Sequence, residues 1–340
     1  MSSNAARRAG WQRAGYVVAL SLTLPSAVMA ADPEPPAPAL PALGTAEASA
    51  VGLGGGGYMA TQLAVAWPER FHGLGVLGAG PWACAQGKLS LALNQCMMVR
   101  RGEPSLDELD DRRADYQSRN QVGADADLEQ LRAYVWHGQQ DDVMAPVLGD
   151  LLAEQLDRWL ADGEQQLKVA RDAEAGHGWP QDGERVAGSM MDWLYPARDA
   201  DDAPSAGGEL REFDQSDFEA RGLADTGYVY VPEACTAGGC GATLALHGCR
   251  VNEASSDDQA SPGEGFMRDN GLNAWADTHA EVVLYPQVES SMANPKGCWD
   301  WWGFAESSWQ LYPLHDTRNG TQASALMDML DRLQTAPAER

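Results

Sequence analysis

From residue 42 onward, short apolar runs alternate with apolar stripes at helical spacing. Leu74–Leu77, Ala133–Trp136 and Leu167–Ala170 are brief apolar stretches that stop at turn residues, and each is predicted as a buried strand. Gly227–Pro232, Ala242–His247 and Glu281–Tyr285 add three more. Between them the period lengthens. Val147–Trp159 places Leu148, Leu151, Leu152, Leu156 and Trp159 on one helical face, and Tyr58–Trp67 and Thr321–Leu333 are also predicted helices. Ser105–Leu131 is highly charged, with Leu106, Leu109 and Tyr116 at helical spacing. By the same criteria Gly44–Ala50 is a poor strand, and 197–210, rich in Asp, Ala, Pro and Gly, is predicted as a linker. Strands alternating with helices point to an α/β fold with a mostly parallel, doubly wound sheet.

The first 30 residues break this pattern. Arg7, Arg8 and Arg13 precede an apolar stretch, Ala14–Leu24, and Val28-Met29-Ala30 supplies small residues for cleavage. This is the pattern of a secretory signal, with cleavage expected after Ala30 and the mature chain secreted to the periplasm or beyond the cell. The stretch is too short for a stable membrane span. Residues 31–41 form a Pro/Ala-rich arm. Removing residues 1–30 deletes three arginines and no acid, so the formal charge of −25 becomes −28. Such a chain repels nucleic acid and anionic membranes and suits a neutral substrate. All six cysteines lie beyond the signal, an even number in an oxidising compartment. Proximity favours Cys84–Cys96 and Cys235–Cys240, leaving Cys249–Cys298. No Cys-x-x-Cys pair is present, so a zinc site is not expected.

The candidate chemistry starts at Val51-Gly52-Leu53-Gly54-Gly55-Gly56-Gly57-Tyr58-Met59-Ala60. These residues satisfy Gly-x-Gly-x-x-Gly, but a dinucleotide site also needs a good preceding strand and an acid about 20 residues on. Here the strand is poor, and the next apolar run ends in Gly78-Ala79-Gly80 without a carboxylate. The better match is a nucleophile elbow, Gly-x-Ser-x-Gly, in which Gly54 occupies the serine position. In α/β-hydrolases a catalytic acid and then a histidine follow the elbow, each on a loop after a strand. Asp141 follows Ala133–Trp136, and His177 follows Leu167–Ala170 within Gly176-His177-Gly178-Trp179-Pro180. Asp141 is preferred over Asp142 from its place in the turn. Ser49 lies upstream of the elbow and is no substitute nucleophile.

With these motifs on the page, the chain resembles the secreted polyhydroxybutyrate (PHB) depolymerases of the single-domain, circularly permuted α/β-hydrolase type. That family carries Gly-Leu-Ser-Ser-Gly-Gly-Tyr-Met-Ala at the elbow, and this chain differs at Gly54 and Gly55. The likeness continues through Pro81–Gly87, Ala224–Pro232, Leu246-His247-Gly248-Cys249-Arg250, Leu284–Gln287 and Asn294–Gly303. Permutation accounts for the order. The His247-Gly248-Cys249 loop and the last helix, which ordinarily precede the elbow, here come after His177. One domain over 42–340 is therefore expected rather than two joined at 197–210. The resemblance implies an oxyanion hole from the backbone N–H groups of Gly55 and Cys249. It also implies a substrate crevice lined by Trp302, with Trp301 and Trp299 as further contacts. It points to a polyester or hydroxyalkanoate oligomer as ligand, a monomer, and no metal or organic cofactor. With the serine missing, either a weak ester hydrolase or a non-catalytic binding protein is expected.

Overall fold

The computed structural model describes residues 37–198, 207–249, 264–310 and 312–337. The predicted signal, residues 31–36 of the arm and residues 199–206 of the predicted linker lie outside these. Eight strands are present among them: β1 Ala48–Leu53, β2 Gly73–Leu77, β3 Arg132–Gly138, β4 Leu167–Asp172, β5 Glu209–Asp214, β6 Thr226–Val231, β7 Gly241–Leu246 and β8 Glu281–Tyr285. The helices are α1 Gly55–Ala66, α2 Leu89–Asn94, α3 Leu106–Ser118, α4 Asp125–Leu128, α5 Pro146–Trp159, α6 Gly163–Gln166, α7 Gly183–Leu194, α8 Glu264–Asp269, α9 Leu272–His279 and α10 Thr321–Gln334.

All eight strands join one sheet in the order β4-β3-β2-β1-β7-β8-β6-β5. Neighbours pair in parallel except β6, which runs antiparallel to both β5 and β8. The sheet passes without a break from the strands before 197–210 to those after it. The permutation is visible at its centre. β1 pairs with β7, Ala48 opposite Ala242, and the start of the chain meets its last helix where Leu43 N–H donates to Leu333 O. The described part of the arm is packed rather than free, with Leu40 buried and Pro38 O accepting from Asp214 N–H.

Two apolar clusters cover the two faces of the sheet. Leu63, Leu109, Leu152, Leu156, Leu326 and Leu330 belong to one, and Val186, Met190, Leu194, Leu272 and Trp275 to the other. The predicted strands and helices are found with ends shifted by at most three residues, and Glu281–Tyr285 is unshifted. Two expectations are corrected. Gly44–Ala50 was expected to be a poor strand, yet Ala48–Ala50 open β1, the strand between β2 and β7, buried on both faces. Its small residues are required by packing: a Cβ on Gly52 would lie 2.2 Å from Gly56 O, and one on Gly56 would lie 2.2 Å from Leu246 O. Tertiary contact here outweighs strand propensity. The predicted linker also ends too late, since Glu209 and Leu210 open β5. That edge strand is charged and mostly exposed, as suits an unpaired edge, with Phe213 its buried anchor.

At the amino ends of β7 and β8, opposite the elbow, lies a buried ionic cluster. Glu281, fully buried, accepts from Thr243 Oγ1 at 2.6 Å and Tyr195 OH at 3.4 Å, and pairs with Arg198, which also reaches Glu47 at 3.1 Å. Burial pushes the Glu281 carboxyl up to about 7 from 4.5, outweighing the opposing pull of Arg198, Thr243 and Tyr195. Because the folded value exceeds the unfolded one, this group's contribution to stability is complete below 4.5 and is lost as pH rises through about 7. Thermal unfolding of Glu281→Gln should therefore show a smaller fall in Tm than the wild type between about pH 5 and about pH 8. Parallel curves would remove Glu281 as the source.

Candidate active site

The residues singled out in the sequence come together at the carboxyl ends of β1, β3, β4 and β7, where open α/β sheets place their ligands. Gly54 links β1 to α1 with φ 54° and ψ −114°, a left-handed conformation that costs a side-chain-bearing residue energy. Its N–H donates to Leu77 O at 2.8 Å, and its carbonyl accepts Tyr58 N–H at 3.0 Å. The turn aims the missing side chain at the histidine: a Cβ on Gly54 would stand 3.1 Å from His177 Nε2.

On its other nitrogen, His177 donates Nδ1–H to Asp141 Oδ2 at 2.8 Å. Asp141 is buried, and its second oxygen accepts Val143 N–H at 2.9 Å and Met144 N–H at 2.7 Å. Burial by itself would raise this carboxyl. Hydrogen bonds from His137 and His177, the His177 charge and the Met144 amide outweigh it and hold the group well below the usual carboxylate range. Asp141 is thus an acceptor only, and it orients His177 with Nε2 facing Gly54. Sequence reasoning missed His137. It is the next-to-last residue of β3, four residues before Asp141, is buried, and has Nε2 3.3 Å from Asp141 Oδ2 and 3.0 Å from Met144 O. Its only sequence signal was that spacing.

Gly55 and Cys249 lie side by side. A Cβ on Gly55 would meet Cys249 Sγ at 2.8 Å. As the first residue of α1, Gly55 has a backbone N–H with no partner inside the helix. All three expected disulfides are formed, Cys84–Cys96, Cys235–Cys240 and Cys249–Cys298. The third fastens the loop after β7 to the tryptophan segment. The first steadies the elbow helix, because Tyr58 OH donates to Cys96 O at 2.7 Å.

The three tryptophans occupy different places. Trp299 is fully buried and donates Nε1–H to His247 O at 3.1 Å, so the expectation that it contacts substrate is corrected: it is a core residue. Trp301 is also buried and stacks on Tyr58, rings 4.6 Å apart, with Nε1 3.4 Å from the Gly55 Cβ position. Trp302 is half-buried, set edge-on against Trp301 and tilted over Phe304. Asp300 holds this segment by accepting N–H bonds from Gly303, Phe304 and Ala305 at 2.6, 2.8 and 3.0 Å. Gln62 on α1 ties it to the elbow helix by donating to Asp300 O at 3.1 Å. Ser49 is out of reach, buried near the start of β1 with its hydroxyl on Tyr195 OH.

Sheet order, elbow and the histidine–carboxylate pair define an α/β-hydrolase. No family model matches the chain. Among proteins of known function it is similar to the PHB depolymerase of Talaromyces funiculosus, 30% identical over 320 residues, covering 84% of this chain and 88% of that protein. It is similar also to the poly(3-hydroxybutyrate) depolymerase of Delftia acidovorans, 31% identical over 307 residues and 84% of this chain, which spans only 59% of that protein's length. Of solved structures, PHB depolymerase from Penicillium funiculosum superposes with a TM-score of 0.75 at 29% identity, over 87% of this chain and 98% of that one. A serine-to-alanine PHB depolymerase complexed with an R3HB trimer gives 0.74 over the same shares. The chain belongs to the polyhydroxybutyrate depolymerase family.

The lowered Asp141 value means that its contribution to stability is present above the ordinary carboxylate value of 3.8 and is lost only as pH falls through the much lower folded value. Asp141→Asn should cost roughly 2–3 kcal/mol at neutral pH. The deficit, measured by denaturant unfolding, should shrink steadily in acid. A deficit independent of pH would show that the charge of Asp141 contributes nothing.

Proposed function

We propose that this chain is an exported PHB depolymerase-type protein that binds 3-hydroxybutyrate polyester or its oligomers and turns esters over poorly, because its elbow has no nucleophile. The observation that carries this reading is the Gly54–His177–Asp141 geometry: base and acid stand in hydrogen-bonded register and face a position with no hydroxyl. In this reading His177 is the general base, Asp141 fixes its tautomer, and the N–H groups of Gly55 and Cys249 hold the carbonyl oxygen of the ester. Glycine at 55 keeps its backbone donor, so only the attacking group is missing. Residual hydrolysis then runs through a water molecule deprotonated by His177. Loss of a triad nucleophile leaves on the order of 10³–10⁴-fold acceleration over water.

Ligand choice rests on apolar surface and on the relatives. Trp302 offers a half-buried ring beside the elbow. Gly87 and Gly303 both pack against Pro313, which draws the residues just before α2 and the tryptophan segment together. That neighbourhood exposes Leu89, Leu93, Trp309 and Tyr312. Aromatic and aliphatic platforms bury the methyl and methylene groups of an aliphatic polyester, and the polymer carries no charge for the acidic surface to repel. Three disulfides accord with export, and among the described residues no helix is long and apolar enough to cross a membrane.

Gly54→Ser should raise short-chain ester hydrolysis by on the order of 10³-fold or more. It should also make the protein sensitive to serine-directed phosphonylating reagents. The same change should lower stability by about 1–3 kcal/mol, because serine must adopt the positive φ that glycine accepts freely. A folded Gly54→Ser protein without gain in activity would overturn the view that this position alone limits catalysis. Trp302→Ala should weaken adsorption to PHB film by about 1–3 kcal/mol through lost apolar burial. His177→Ala should abolish residual hydrolysis and leave adsorption unchanged. Equal adsorption by wild type and the Trp302 variant excludes that ring as the platform.

A further inference from the structure

The carboxylate of Asp141 serves two imidazoles. Its Oδ2 faces His177 Nδ1 at 2.8 Å and His137 Nε2 at 3.3 Å, and its Oδ1 takes the Val143 and Met144 amides. We propose that His137 is a positioning residue: by donating Nε2–H to Asp141 Oδ2 it sets how strongly that oxygen holds His177. This rests on the roles proposed above for Asp141 and His177.

Ring geometry assigns the proton. His137 Nε2 faces two acceptors, Asp141 Oδ2 and, at 3.0 Å, Met144 O. A nitrogen between two acceptors must carry hydrogen. His137 Nδ1 is buried without a partner among the described residues, and the backbone of α5 closes over it: a Cβ on Gly149 would lie 2.4 Å from that nitrogen. A proton there would be buried with nothing to receive it, at a cost of several kcal/mol on the order of an unmet hydrogen bond. The ring therefore has hydrogen on Nε2 and a bare Nδ1, and helix α5 enforces that choice.

Two consequences follow for the acid. With His137 in place, four donors meet the two oxygens, so the carboxylate is saturated and stays ionised although buried. The second imidazole also draws charge from Oδ2 and weakens the bond that oxygen makes to His177 Nδ1–H, since hydrogen bonds to one oxygen compete. Met144 is held at both ends, its N–H by Asp141 Oδ1 and its carbonyl by His137 Nε2, so His137 also fixes the turn that carries the acid. The other charged groups on the surrounding elements point away from this cluster. Asp142 on the turn is exposed, and Asp150 on α5 is exposed and paired with Arg171 on β4. Asp172, the last residue of β4, accepts the Glu174 and Ala175 amides.

The test reads hydrogen bonding directly by NMR on the full-length folded protein, with no substrate. His137→Leu removes the donor and should move the His177 Nδ1–H proton further downfield. The Asp141 carboxylate, followed by its carboxyl ¹³C shift, should begin to protonate at higher pH than in wild type. His137→Gln, whose amide can place an N–H where Nε2 stood, should return both signals toward wild type. In the unmodified protein the ¹⁵N shifts of His137 should show a protonated Nε2 and a bare Nδ1. A folded Leu variant with both signals unchanged overturns the proposal, and so does the opposite His137 tautomer in the wild type, which holds even if the Leu variant does not fold. Neither readout needs turnover. An inactive Gly54→Ser protein would overturn the proposed catalytic reading while leaving this test intact, and an unchanged spectrum would do the reverse.

Discussion

The site depends on the contact of three backbones. β1, the first turn of α1 and the end of β7 approach so closely that Gly52 and Gly56 have no room for side chains. That contact forces the chain from strand into helix through a single residue and fixes where position 54 points. It also leaves the first turn of α1 facing the loop of Cys249, and the Cys249–Cys298 bridge then carries the tryptophan segment to the same place. Elbow, Cys249 loop and tryptophan segment are thus positioned by one packing constraint.

Nothing in that constraint requires a hydroxyl. Asp141 keeps its donors and His177 keeps its orientation with glycine at 54, because each is held by strand ends and turns rather than by the nucleophile. Glycine also relieves the left-handed strain that a serine would bear. Glycine at 54 is therefore compatible with the Asp141–His177 pair and relieves strain at the turn.

The fold was largely legible in the sequence, and its failures have physical causes. Strands such as Glu281–Tyr285, buried on both faces, and helices such as Val147–Trp159, with one apolar stripe, announce themselves by period. β1 did not, because Ser49, Ala50 and Gly52 were selected for thinness between neighbours rather than for strand propensity. β5 did not, because an exposed edge has little apolar signal beyond Phe213. At the site, Asp141 and His177 were legible from order along the chain. Trp299 was misjudged, since spacing cannot tell a tryptophan that closes the core from one that faces a ligand. His137 was invisible as a partner because its role is set by an Nε2 shared between a carboxylate and a carbonyl, which appears only once the turn is built.

The pairing of β1 with β7 also governs when the molecule can form. Ala48 emerges early in synthesis, whereas its partner Ala242 and the helix that ends near Leu43 emerge late. The central seam of the sheet cannot close while the chain is still being made, and such non-local pairing is slow even afterwards. Of the disulfides, Cys84–Cys96 and Cys235–Cys240 join residues close in sequence and are independent of that seam, whereas Cys249–Cys298 joins two segments that both follow β7. Permutation thus places the closure of the central seam after the synthesis of β7 and α10.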